Sequence, residues 1–287
     1  MLLLKNNKNL RGVMYMALAM FVFAFVDALA KYLTQILPAL QIAWLRWAAM
    51  FVGVLLLLIK RGPNVLKTNN LKLQILRGAT AGLSALIFIY GLLYVPLADA
   101  VAMTFVAPIL VTVMAAFFLG EKVGMTSIIA VFFGFLGVLL VLKPGVDGFQ
   151  PWLILPLIAA ALFALRQVIS RLLGFEDSLE TTTFYTALVA FLVSSTTLPF
   201  AWEPISPSFL IVTMATMSLL AALGEFFVIK SLNVAQAAAV APVHYSLVIW
   251  STLYGYLLFG HVPDLFTCLG GFTIMLSGLY IFYISDT

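Results

Sequence analysis

Asp27, Arg46, Arg166 and Glu225 stand inside long apolar runs of this chain, and His244 is a fifth titratable group in the same kind of setting. At the centre of a bilayer an aspartate, lysine or arginine costs about 2.5–3.5 kcal/mol on insertion scales. Such residues therefore face a bundle interior or a water-filled path, where they pair, hold a polar solute or relay a proton. Acids and arginines together fit charge clusters that form and break as a cavity opens alternately to its two sides. The bland alternative is static glue, in which the same pairs hold helices together and the arginines extend toward the interface.

Depth sorts these groups. Asp27 is six residues from one end of its apolar run, and Arg46 is seven from the same end of the next. At 1.5 Å per helical residue both lie about 9–10 Å deep. They carry opposite charge, and Asp99 adds a second acid within reach of the arginine. Toward the other side Arg166 and Glu225 sit about 10 and 8 Å from their run ends. Lys31, one turn from Asp27 and two residues from the end of its run, reads as an interfacial anchor.

Near mid-run, Tyr90, Thr104, Phe105, His244, Tyr245 and Trp250 offer hydroxyl, imidazole and ring surfaces for a solute. Pro108 and Pro242 remove backbone donors and predict bends that leave carbonyls free to line a cavity. A histidine in "PVHYSLVIW" is hard to explain as filler; it fits a solute contact or a proton carrier. Trp44 and Trp47 flank Arg46 and are placed to stack on its guanidinium or on an aromatic solute.

The elements that must position these residues follow from composition. Of 287 residues 64% are hydrophobic and only 9% charged, against about 25% charged in soluble domains. Pro, Gly, Asn and charged punctuation divides the chain into ten apolar segments, at 13–33, 39–59, 73–93, 97–119, 126–142, 152–173, 182–202, 209–230, 236–259 and 264–283. Each is long enough to cross or nearly cross a ~30 Å core. Lipid offers free backbone no partners, so the segments are helices; they lack the alternation of a β-barrel. The expected class is an all-α membrane protein with ten transmembrane helices. The first run exceeds the 7–15-residue core of a signal peptide and reads as a retained span.

With the N-terminus cytoplasmic, the inner side holds eleven Lys and Arg residues, including Lys5, Lys60, Arg61, Lys67, Lys72 and Arg77, against Lys31 and Lys143 outside. The positive-inside rule thus predicts both termini in the cytoplasm. The chain also resembles itself. Shifted by 140 positions, Phe23-Ala24 meets Phe163-Ala164, Leu33 meets Leu173, Lys31 meets Arg171 and Gly120 meets Gly260. Five spans per half make this a 5+5 inverted repeat, with halves at 1–146 and 147–287. Glycine pairs at Gly78/Gly82, Gly134/Gly137 and Gly270/Gly271 permit close helix approach.

Ten spans, this repeat, and the stretches "LADAVAMTFVAPILVTVMAAFFLGEKVG" and "AAAVAPVHYSLVIWSTLYGYLLFGHVPD" resemble the EamA branch of the drug/metabolite transporter superfamily across essentially the whole chain. "DALAKYL", "ILRG" and "VISRLL" are most similar to S-adenosylmethionine uptake and riboflavin-type carriers within it. The resemblance implies a cytoplasmic-membrane carrier of small organic metabolites with a cavity between the halves, and a homodimer contact through spans 5 and 10. It supports Pro242 and Tyr245 as site residues. One departure is Gly260-His261, the counterpart of Gly120-Glu121, where the family often keeps an acid.

Other classes fare poorly. An intramembrane enzyme would need a nucleophile with a base, or a ligand set, and neither spacing occurs. Only one cysteine, Cys268, and two histidines, His244 and His261, are present, so no metal or other cofactor is expected. There is no phosphate-binding GxxxxGK[ST] loop. No basic run with interleaved aromatics favours nucleic acid. A non-transporting scaffold leaves the charges on both sides of a repeat unexplained. The expected partners are a small-molecule substrate and the lipid bilayer.

Overall fold

The computed structural model describes residues 2–119, 125–142, 150–173, 177–205, 208–234, 243 and 246–285, and all of their regular structure is helical. The helices are α1 (Leu2–Leu33), α2 (Ala39–Arg61), α3 (Leu71–Gly91), α4 (Leu97–Thr104), α5 (Ala107–Leu119), α6 (Met125–Leu142), α7 (Ile154–Leu173), α8 (Leu179–Ser195), α9 (Ser208–Val234), α10 (Ser246–Phe259) and α11 (Leu265–Ser285). With α4 and α5 counted as two pieces of one span, these correspond to the ten segments read from the sequence, the beginning of the ninth, 236–242 and 244–245, lying outside the described residues. Six are long and apolar enough to cross a membrane, and the rest are shorter apolar helices.

Local chemistry sets the boundaries. Asn70 caps α3 by accepting the Leu73 N–H at 3.2 Å, and Ser178 caps α8 by accepting the Thr181 N–H at 3.1 Å. At the end of α2, Gly62 takes φ 78°, a conformation side chains with a Cβ disfavour. Span 7 stops at Ser195 rather than near 202. The hydroxyls of Thr196 and Thr197 bond back to the Val193 and Ser194 carbonyls, and a 3-10 turn follows over Leu198–Phe200.

Span 4 breaks where Pro108 follows. The Phe105 and Val106 N–H groups reach only three residues back, to Ala102 O (3.2 Å) and Met103 O (3.3 Å). A proline at 108 has no N–H and its ring excludes the carbonyl of residue 104 from a straight helix, so the chain tightens and restarts.

In the bundle α1 packs on α9 and α10, α3 on α7 and α8, and α2 on α8 and α9. The pieces α4 and α5 lie against α7, with α10 beside α4, while α6 packs on α11. Small residues allow these approaches. A Cβ on Gly78 would stand 2.6 Å from Val189 Cβ and 3.1 Å from Tyr185 O; one on Gly82 would stand 3.0 Å from Ala190 Cα. On α6, a Cβ at Gly137 would come within 2.8 Å of Gly270 O and 2.7 Å of Ile274, and one at Gly134 within 3.2 Å of Ser277 Oγ. The glycines of spans 5 and 10, expected to permit close helix approach, meet each other inside one chain. Serine hydroxyls staple neighbouring helices: Ser218 to Leu45 O (2.9 Å), Ser84 to Ala159 O (2.8 Å) and Ser231 to Gly12 O (2.7 Å).

The two ends of the bundle differ. One carries the α2–α3 loop with Arg61, Lys67 and Lys72, and the turn before α8 closes onto it. This is called the basic end below. The other carries the turns after α1, α3 and α8.

Candidate functional site

Toward the end opposite the basic one, Arg46 Nη1 of α2 donates to Asp27 Oδ1 of α1 at 3.2 Å. The carboxylate is 8% exposed as a residue, and the guanidinium side chain keeps 22% of its surface open. Charge-assisted pairs of this kind are about twice as strong as neutral hydrogen bonds. Leaving one partner alone in such a place costs on the order of 3–5 kcal/mol.

The tryptophans beside Arg46 are not stacked on it. Trp44 Nε1 donates to Ser195 Oγ at 2.9 Å, and its ring lies 5.5 Å from Phe191 and edge-on to Trp202 at 6.0 Å. Trp47 is buried against Ala81 and Ala190. The reason is helical geometry: residues one and two apart do not share a face, so both indoles turn toward α8 while Arg46 turns toward α1.

Lys31 also departs from its expected role. It is 8% exposed, and its ammonium donates to Leu92 O (3.1 Å) and Val95 O (2.5 Å). It lies 5.8 Å from the Phe259 ring centroid and feels the charge of Asp99. Carbonyls after a helix lack intrahelical donors and draw cations, so the lysine folds inward onto the turn after α3 instead of reaching the interface. Asp99, expected near Arg46, is thus in the field of Lys31, and it accepts from Gln150 Nε2 at 3.4 Å.

Tyr90 is one residue from the end of α3, not at mid-span. Its hydroxyl accepts from Tyr94, whose ring stacks on Trp152 at 4.1 Å. All three are exposed, as in the aromatic belts of membrane interfaces. Thr104 and Phe105 sit at the break in span 4; Thr104 Oγ1 donates to Val101 O at 2.7 Å, and Phe105 is buried. Arg166 stacks its guanidinium over Phe163, 4.6 Å from the centroid. Trp250 lies edge-on to Phe21 at 5.2 Å, its buried indole N–H without an acceptor among the described residues. His244, Tyr245, Pro242 and the side chain of Glu225 lie outside the described residues.

Three polar groups were passed over in the sequence. Gln41, fully buried, exchanges two hydrogen bonds with the backbone of Glu203: its Nε2 donates to Glu203 O (2.8 Å) and its Oε1 accepts the Glu203 N–H (3.0 Å). Gln74, also fully buried, donates to Asp177 Oδ2 at 2.7 Å. Asp177 further accepts from Thr68 Oγ1 (2.5 Å) and the Asn69 N–H (2.9 Å). Desolvation raises the Asp177 carboxyl, but the bonds from Thr68, Asn69 and Gln74 outweigh it and hold the group below the usual carboxylate value. A glutamine inside an apolar run, as in "ALQIAW" and "KLQILRG", was the available signal.

The EamA-like transporter family profile matches residues 10–143. The S-adenosylmethionine uptake transporter of Rickettsia prowazekii is 28% identical over 278 residues, covering 96% of this chain and 93% of the relative. The pseudopaline exporter of Pseudomonas aeruginosa is 28% identical over 275 residues, 93% of this chain and 94% of the relative. The riboflavin transporter of Vibrio cholerae is 29% identical over 279 residues, 95% of this chain and 93% of the relative. A solved crystal structure of a protein, 15% identical, covers 98% of both chains with a TM-score of 0.64, a likeness of fold alone.

Proposed function

We propose that the chain is a secondary carrier of the EamA-like transporter family working by alternating access, since that family's model matches residues 10–143 and relatives 28–29% identical over nearly the whole chain are transporters of small metabolites. Its substrate is an amphipathic solute with an amino-acid end: an amino acid, S-adenosylmethionine or a similar compound. The observation that carries this reading is the Asp27–Arg46 pair. A carboxylate and a partly exposed guanidinium inside a bundle can part around a zwitterion, Asp27 taking the ammonium and Arg46 the carboxylate. The methionine part of S-adenosylmethionine offers that combination. Arg166 with Glu225 is the proposed counterpart toward the basic end. Thr104, Phe105, His244, Tyr245 and Trp250 are the proposed lining between them.

An inverted repeat of halves 1–146 and 147–287 supplies the two-state element. Packing supports it: α1 on α9 answers α3 on α7, and α2 on α9 answers α3 on α8. Individual contacts correspond as well. Gly78 lies against Tyr185 O as Ser218 lies on Leu45 O, and Gly134 meets Ser277 as Gly137 meets Ile274. Each contact becomes its mate when one residue number is raised by 140 and the other lowered by 140. A two-fold axis in the membrane plane has that effect. The basic end is then cytoplasmic, with both termini there, in the inner membrane.

The test is uptake into proteoliposomes of S-adenosylmethionine, a panel of amino acids and riboflavin, read in both directions. The expected result is saturable flux of a solute with an amino-acid end. Asp27→Asn and Arg46→Gln should each lower it by about tenfold or more, with unchanged gel-filtration profiles. Wild-type rates in both variants would remove the pair from transport, and riboflavin flux alone would reassign the substrate class.

A further inference from the structure

At the basic end, away from the Asp27–Arg46 pair, the α2–α3 loop and the start of α8 line an open cleft of about 420 Å3. Its walls are preorganised. Val65, in a 3-10 turn of that loop, is buried with Val54, Phe184 and Ala187. Tyr185 Oη holds Leu66 O at 2.8 Å, and Thr68 and Asn69 are tied to Asp177 as described. Arg61, Lys67, Asp177 and Glu180 are the charged groups on the lining. Asp177 is already satisfied by three donors. Arg61, Lys67 and Glu180 have no ion-pair partner among the described residues.

We propose that this cleft is a headgroup site for a zwitterionic phospholipid of the phosphoethanolamine type. Arg61 and Lys67 take the phosphodiester, for which a guanidinium fork is well shaped, and Glu180 takes the primary ammonium. Among the described residues the lining offers two cations and, besides the already bonded Asp177, one carboxylate, Glu180, so it can pair a phosphate and an ammonium together, whereas a headgroup without an N–H donor leaves Glu180 unpaired. A lipid rather than a soluble molecule is the occupant because α2 leads up to Arg61 through exposed apolar residues, Val52, Leu55, Leu56 and Ile59. Acyl chains can lie along them while the headgroup reaches the loop.

The experiment is thermal unfolding of the purified full-length protein in detergent with added lipid. Phosphatidylethanolamine should raise Tm by about 3 °C. Phosphatidylcholine, whose choline has no N–H donors, and phosphatidylglycerol should each give under a third of that shift. The Arg61→Gln/Lys67→Gln double variant and Glu180→Gln should keep the lipid-free Tm and lose the increment. Native mass spectrometry should show retained phosphatidylethanolamine on the wild type and about tenfold less on the variants. Phosphatidylglycerol matching phosphatidylethanolamine would overturn the proposal in favour of general attraction to a basic loop. Variants that keep the full increment would overturn it too. An equal shift from glycerophosphoethanolamine or inorganic phosphate alone would move the ligand from the membrane to water and overturn the lipid assignment.

Discussion

Asp27 and Lys31 stand one helical turn apart on α1, yet they do not pair; each crosses to another element. Depth along the sequence brought Asp27 level with Arg46, because a helix rises by a fixed step and two neighbouring spans share a starting plane. No such argument could find Lys31's partners, since backbone carbonyls carry no sequence signature and any turn supplies them. Asp177 was invisible for a similar reason: a loop acid reads as solvated until Thr68, Asn69 and Gln74 are seen around it. Its bonds have a pH consequence. A carboxyl held below its ordinary value stabilises the fold above the unfolded pKa of about 3.9, and the contribution fades as pH falls through the folded value. Asp177→Asn should therefore lower Tm at pH 7, and the gap to wild type should close below about pH 4. A gap that stays constant from pH 7 to pH 3 would show that the bonds do not depend on the charge.

At the level of elements, the ten spans were legible because apolar runs of this length have one solution in lipid. The break in span 4 was legible through Pro108, although it falls two to three residues earlier, where the hydrogen bonds tighten. The glycines announced close approach but not the partner, since a glycine is equally smooth toward a neighbouring helix or another molecule. Here α6 and α11 lock onto each other, and the test is direct. Gly137→Val and Gly270→Val each force side-chain atoms onto the facing backbone, within 2.8 and 2.6 Å already at Cβ. Overpacking of this kind costs about 1–3 kcal/mol, so each variant should lose several degrees of Tm. Variants that keep wild-type Tm but change gel-filtration mass would instead place the glycines in a contact between copies.

On the scale of the whole molecule, the charge asymmetry of the loops and the folded geometry agree: the Lys- and Arg-rich α2–α3 loop and the turn before α8 meet at one end. The proposed orientation can be checked with a single reporter, because Cys268 is the only cysteine. In a Cys268→Ser background, Asn64→Cys should react with a membrane-impermeant maleimide in inside-out vesicles and stay unlabelled in intact cells. Labelling of intact cells would invert the topology. The two ends are also pinned differently. Asp177 ties the basic end through an ionised carboxylate, whereas the Gln41–Glu203 link at the opposite end is made by neutral amides, so acid loosens the first link and leaves the second unaffected.

Lys31 gives the opposite end a further property. While its ammonium rests on Leu92 O and Val95 O it is sealed from water, and a sealed amine is inert to acylating reagents. If that end opens during a transport cycle, the amine becomes a nucleophile facing the aqueous phase. The chain then keeps its own chemical record of how often that door has stood open.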